Sequence, residues 1–305
     1  MVAGGFLGLL LGGNWLVDGA VALALRLSIS PMIIGLTLVG FGTSMPELVT
    51  SVQAALIGSP GIAVGNVVGS NIANILLILG MAALIAPIAV DRGTLRRDGM
   101  VMVLVSVLCV SIVLYGTLGR VAGGILLGGL ALYLLVTIRL ARAGQIEAGP
   151  IEAVQMPAWR AGLTLVGGLV VTIVAAKFLV QGAVALAADW GMSEAVIGLT
   201  VVAVGTSLPE LVTSVVAARK GQSDLAVGNV IGSNIFNILG ILGVTAVVQP
   251  LAVPKSIMVL DIWVMLGAAL ALIVLSMRKW RLGRVEGGLL AASYAGYVTY
   301  LVTGL

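Results

Sequence analysis

No histidine occurs in the 305 residues, and the one cysteine, Cys109, stands inside an apolar run. The first absence removes the usual zinc ligand and the usual switch near neutral pH. The second excludes an intramolecular disulfide and leaves the redox compartment unread. Charge is scarce too, at 9% of residues, where a soluble domain carries about a quarter. A nucleophile–base pair, a phosphate-binding loop and a soluble domain are all missing, which argues against an enzyme. What remains is 60% hydrophobic, with a mean hydropathy of +1.20, a composition suited to lipid. The 42 glycines fit close helix packing, since small residues let backbones approach where no hydrophobic force drives association. The net charge of +4 does not indicate nucleic-acid binding, because the basic residues sit at the ends of apolar segments.

A membrane-crossing helix needs roughly 20 mostly apolar residues. By that measure the chain predicts ten spans, at about 3–25, 31–57, 61–86, 99–116, 119–141, 161–188, 194–218, 224–250, 256–276 and 284–304. The first has no basic flank or cleavage signature and reads as a retained span. The longest connection, 142–160, contains "GQIEAGPIEAVQMP" and reads as a linker between residues 1–141 and 161–305.

The two halves repeat each other at an offset of 163 residues. "LVDGAVALA" (16–24) returns as "LVQGAVALA" (179–187), and "GTSMPELVTS" (42–51) as "GTSLPELVTS" (205–214). "AVGNVVGSNIANILLILG" (63–80) meets "AVGNVIGSNIFNILGILG" (226–243). From Gly42 to Gly80, 28 of 39 positions are identical without a gap. Five spans per unit make the second copy enter from the opposite side, so the fold expected is an all-α integral membrane protein of two inverted five-helix repeats. Thirteen basic residues fall on one side and two, Arg120 and Lys255, on the other. The positive-inside rule puts the thirteen in the cytoplasm and both termini outside.

In spans two and seven the backbone is interrupted. Pro46 deprives the Gly42 carbonyl of its helical partner, and Pro209 does the same to Gly205. One residue further stand Glu47 and Glu210, at equivalent places of the repeat. A carboxylate at mid-membrane depth costs at least about 2.5–3.5 kcal/mol, and two close together repel. No intramembrane arginine accompanies them, so bound cations are the natural partner. Thr43 and Ser44 share a helix face with Glu47, as Thr206 and Ser207 do with Glu210. On spans three and eight, Asn66, Ser70 and Asn74 are spaced by four, and Asn229, Ser233 and Asn237 match them. Hydroxyl, amide and carboxylate oxygens suit sodium and calcium, and the lack of histidine and of a cysteine cluster argues against zinc, copper or iron. Asn71 and Asn234, one step off that face, suit helix–helix hydrogen bonding, whereas Asn66 and Asn229 fit either role. Asp18 and Lys177 are further intramembrane charges, and both are left without an assigned role.

The paired "GTSMPE" and "GTSLPE" motifs, each followed by "GNVxGSN", resemble the α-repeats (35–80 and 198–243) of the sodium/calcium exchanger family, within the calcium/cation antiporter superfamily. The resemblance spans essentially the whole chain. It implies that Glu47 and Glu210 bind both calcium and sodium. It carries over Thr43, Ser44, Thr206, Ser207, Ser70, Asn74, Ser233 and Asn237 as further ligands, with backbone carbonyls near Gly40 and Ala203. Some family members have aspartate where Asn74 or Asn237 stands, and the potassium-dependent branch in particular resembles such a pattern. The two amides leave two formal charges and argue against potassium co-transport.

The expected function is therefore sodium-for-calcium antiport by alternating access at one shared site, in the cell (inner) membrane. No cofactor is expected, no nucleic acid, and no obligatory protein partner. Coupling of calcium or another divalent cation to protons is the alternative, with a cation channel behind it.

Overall fold

The computed structural model describes residues 1–142, 156–189 and 203–303. Most of the expected linker and the first part of the expected seventh span lie outside the described residues. The helices are α1 (Val2–Arg26), α2 (Pro31–Thr43), α3 (Met45–Leu56), α4 (Pro60–Ile85), α5 (Arg92–Leu114), α6 (Arg120–Arg142), α7 (Ala158–Asp189), α8 (Ala203–Thr206), α9 (Leu208–Arg219), α10 (Ser223–Val248), α11 (Ile257–Lys279) and α12 (Arg284–Thr303). Among the described residues, seven helices are long and apolar enough to cross a membrane. The pair α2 and α3 makes an eighth, bent by 43°. Helix α12 has 20 residues, about 30 Å at 1.5 Å per residue. Three tyrosines, a serine and two threonines lower its hydropathy below that of the others.

Helix ends follow local chemistry more than apolarity. A span beginning near residue 99 is expected from hydropathy, but α5 starts at Arg92, because Asp91 Oδ2 accepts a 2.7 Å bond from the Thr94 N–H. That cap satisfies one of the orphan donors at the helix start and pulls Arg96, Arg97 and Asp98 into the first turns of the helix.

Helices α1 and α7 pack on each other along most of their length. Gly5, Gly12 and Gly19, seven residues apart, face Ala175/Leu179, Gly168/Thr172 and Ala161/Leu165 in descending order, so the two helices run antiparallel. A Cβ on Gly12 would lie 2.7 Å from the Thr172 nitrogen, and one on Gly168 2.7 Å from the Leu16 Cα. Only glycine permits that approach. The main apolar core lies elsewhere, around Leu36, Ile72, Ile78, Leu79, Ile231 and Ile238. The α1–α7 pair meets the rest through a separate small cluster in which Leu16, Val17 and Ala20 touch Ile34, Val39 and Ala217.

Among the described residues, four two-residue strands join the helices: β1 (Ile88–Ala89), β2 (Thr117–Leu118), β3 (Leu251–Ala252) and β4 (Arg281–Leu282). Strand β1 pairs antiparallel with β4, placing Ile88 against Leu282, and β2 with β3, placing Leu118 against Leu251. Each pair takes one strand from either half of the chain.

Candidate ion-binding site

The two interruptions are built alike. Ser44 (φ −83°, ψ 7°) stands between α2 and α3, and Ser207 (φ −90°, ψ 9°) between α8 and α9. Pro46 and Pro209 fall in the first turn of the following helix, where no N–H is needed. At the first break, backbone N–H groups return to the Gly40 and Gly42 carbonyls, so the carbonyl orphaned by Pro46 finds a donor within the turn. Glu47 and Glu210 lie in the first turns of α3 and α9, where the positive end of the helix dipole favours a carboxylate. Both are 1% exposed.

Each half supplies a hydroxyl to the other's carboxylate. Ser44 Oγ donates to Glu210 Oε1 at 2.8 Å, and Ser207 Oγ donates to Glu47 Oε1 at 3.2 Å. The backbones behind the carboxylates are clamped in matching fashion. Asn66 Nδ2 donates to the Glu47 carbonyl (3.1 Å) and Ser51 Oγ (2.9 Å), and Asn229 Nδ2 to the Glu210 carbonyl (3.4 Å) and Ser214 Oγ (2.9 Å). Of the two roles open to Asn66 and Asn229, their amide nitrogens perform the structural one. Asn71 and Asn234 bond between helices as expected, with Asn71 Nδ2 reaching the Asn234 carbonyl at 3.4 Å.

Four acceptors of the expected ligands take no hydrogen bond although fully buried: Glu47 Oε2, Glu210 Oε2, Asn74 Oδ1 and Asn237 Oδ1. Asn74 Nδ2 is equally unpartnered, whereas Asn237 Nδ2 donates to Asn71 Oδ1 at 3.0 Å. Among the described residues, two other buried oxygens share the condition, Asn234 Oδ1 and Ser276 Oγ. Buried acceptors are nearly always paired, so a group of them calls for a ligand that accepts electron pairs. At Asn74 and Asn237 the helices also widen to π-type turns, over Asn74–Leu79 and Asn237–Leu242. Such turns recur at functional sites, and nothing in the residue pattern announces them.

The other expected ligands are placed as follows. Thr43 Oγ1 bonds its own helix, at the Val39 carbonyl (3.0 Å), and approaches Asn229 Oδ1 (3.3 Å). The Gly40 carbonyl accepts from Ser233 Oγ (3.1 Å) and the Ser44 N–H (3.3 Å), so protein donors already occupy it. Ser70 lines a separate cavity of about 390 Å³. Thr206 lies on the wall of a cavity of about 460 Å³ beside both breaks, with Pro46, Thr50, Lys177, Gln181 and Pro209. Ala203 opens α8, on the approach to the second break.

Of the two unexplained charges, Asp18 accepts a 2.7 Å ion pair from Lys220, at the end of α9. Lys177 faces the larger cavity. Sequence order gives no hint of the first contact, which joins residues 202 apart.

The chain matches the sodium/calcium exchanger protein family over residues 1–139 and 161–303. It belongs to the sodium/calcium exchanger family. CaxA of Alkalimonas amylolytica is 42% identical over 290 residues, covering 92% of this chain and 91% of its own. The inner membrane protein YrbG of Escherichia coli (strain K12) is 39% identical, covering 94% and 91%. The sodium/calcium exchanger MaX1 of Methanosarcina acetivorans is 33% identical, covering 97% and 96%. Solved structures of the sodium-calcium exchanger NCX_Mj superpose with a TM-score of 0.85 at 33% identity, over 98% of this chain and 96% of that one. The family is one of membrane transporters, and the chain is a multi-pass, all-helical member of the prokaryotic type.

Proposed function

We propose that this exchanger imports sodium and extrudes calcium through one shared site built by Glu47, Glu210, Asn74 and Asn237. The observation that carries the reading is the set of four unsatisfied acceptors, two from each half, on the helices that follow the two breaks and the helices packed against them. They are hard oxygen donors, and two carboxylates balance one calcium or two sodium ions.

Sharing the carboxylates makes occupancy exclusive, because calcium removes the ligands sodium needs. An empty site leaves two buried charges uncompensated, which disfavours passage without an ion and couples the fluxes. The same reading takes the fold as ten spans in two inverted repeats, with residues 1–141 and 161–305 as the units and the arginine-rich side in the cytoplasm. The reciprocal bonds of Ser44 and Ser207 and the exchange of strands between halves support it. The α1–α7 pair, glycine-packed and outside the main core, is suited to slide as one body across the rest.

The test is calcium uptake into vesicles carrying the full chain, driven by an outward sodium gradient, for wild type, Glu47→Gln and Glu210→Gln. Wild type should take up calcium and both variants should lose at least about 90% of the rate, since each removes half of the site charge. Normal exchange by both variants would dismiss the site. Uptake driven by a proton gradient alone would give the proton-coupled reading, and absence of calcium–calcium counterflow would give the channel.

A further inference from the structure

The central site does not account for a second carboxylate that the duplication treats differently in its two copies. Asp98 on α5 and Asp261 on α11 are equivalents at the 163-residue offset. Each is met by a tyrosine of the next helix: Tyr133 Oη donates to Asp98 Oδ1 at 3.4 Å, and Tyr297 Oη to Asp261 Oδ1 at 2.8 Å. There the likeness stops. Asp98 is fully buried and paired with Arg97 at 2.5 Å. The residue equivalent to Arg97 is Leu260. Asp261 is half-buried, takes part in no ion pair among the described residues, and lines the 390 Å³ cavity with Asn66, Ser70, Ser256, Tyr294 and Tyr297. Lys255, six residues earlier, forms no ion pair with it.

We propose that Asp261 is an outer cation subsite, where a hard metal cation held by the carboxylate and the cavity's hydroxyls takes the place that Arg97 fills in the first copy. A pure helix-to-helix staple needs the tyrosine bond alone, and both copies have it. The open copy instead borders a cavity of mixed lining, which Asn66, the residue clamped to the Glu47 carbonyl, and Ser70 also reach. One carboxylate with neutral oxygens makes a weak site, suited to an ion in transit toward Glu47. The subsite goes beyond the central-site reading and stands without it.

The test uses the full chain in detergent with Glu47→Gln and Glu210→Gln together, which silences the central carboxylates. Terbium(III) is the probe, a hard cation excited through nearby tyrosines, with calcium as competitor. Saturable, calcium-displaced luminescence is expected, and Asp261→Asn should weaken it at least tenfold. Leu260→Arg should do the same while keeping the Tyr297 bond, and thermal melting checks that both variants are folded. Luminescence that ignores both substitutions, or that is absent from the doubly substituted background, would overturn the proposal. An unchanged affinity between wild type and that background would count against the central site instead.

Discussion

The Ser44 hydroxyl donates a 2.8 Å hydrogen bond to Oε1 of Glu210, a residue 166 positions away in the other half of the chain. Its counterpart, from Ser207 to Glu47, is longer at 3.2 Å. A hydrogen bond to a charged group contributes about 1.5–3 kcal/mol, and 1.4 kcal/mol is about tenfold in affinity. Ser44→Ala should therefore raise the KM for calcium about tenfold, and Ser207→Ala by less. Sodium-driven calcium uptake over a range of calcium concentrations measures both.

Asn74 offers a separation of function from stability. Its amide is 1% exposed, with neither Nδ2 nor Oδ1 partnered. An unsatisfied buried polar group costs about 1–3 kcal/mol. Asn74→Ala should leave the thermal midpoint in ion-free detergent unchanged or raised, while lowering calcium transport at least about tenfold. A fall in midpoint together with intact transport would mean that the amide serves packing.

The α1–α7 contact sets a steric prediction. A methyl on Gly168 would meet the Leu16 backbone, whereas one on Gly162 meets open space. Overpacking costs about 1–3 kcal/mol, so Gly168→Ala should lower the melting midpoint by several degrees and Gly162→Ala should not. Melting of the purified protein in detergent distinguishes them.

Asp18 and Lys220 tie α1 to the end of α9, with both side chains about one-third exposed. A pair so exposed is worth at most about 1 kcal/mol, equivalent to about fivefold in a conformational ratio. Lys220→Gln should shift the balance between inward- and outward-accessible forms by no more than that. Exchange of the two charges, Asp18→Lys with Lys220→Asp, should restore it. Cysteine-labelling rates from each side of the membrane give the ratio.

A third asymmetry concerns aromatic filling. Phe41 and Phe236 stack with centroids 4.3 Å apart, where the equivalent positions hold Val204 and Ala73. Phe236→Ala should open water access to the site from the α2 side. Faster labelling of a Thr37→Cys variant, one turn before Phe41 on α2, by a reagent added on that side is the expected outcome.

The central carboxylates were legible because charge is so scarce in this chain that Glu47 and Glu210 stand out, and the duplication doubles the signal. Oxygen-bearing neighbours at helical spacing were legible for the same reason. The division of labour among them was not. Asn66 and Asn74 share one face and one residue type, yet one clamps a backbone carbonyl and the other keeps its amide unpartnered. That difference follows from where α3 crosses α4, which spacing along one helix does not encode. The partner of Asp18 was hidden because Lys220 reads as a cytoplasmic flanking charge. The start of α5 was missed because hydropathy reports depth in lipid, and the Asp91 cap lies beyond it.

The strand pairs are nested: β2 with β3 lies inside β1 with β4, and the outer closure spans about two hundred residues. During synthesis the first half must therefore wait with two unpaired edges until the second emerges, and the inner pair can close first. Separated at the linker, each half would carry two strands lacking mates, the same two that its twin requires. Two unfused copies would meet that need by a self-complementary contact in which each gives the edge it takes. Fusion turns such a dimer into a single chain with its partner permanently attached.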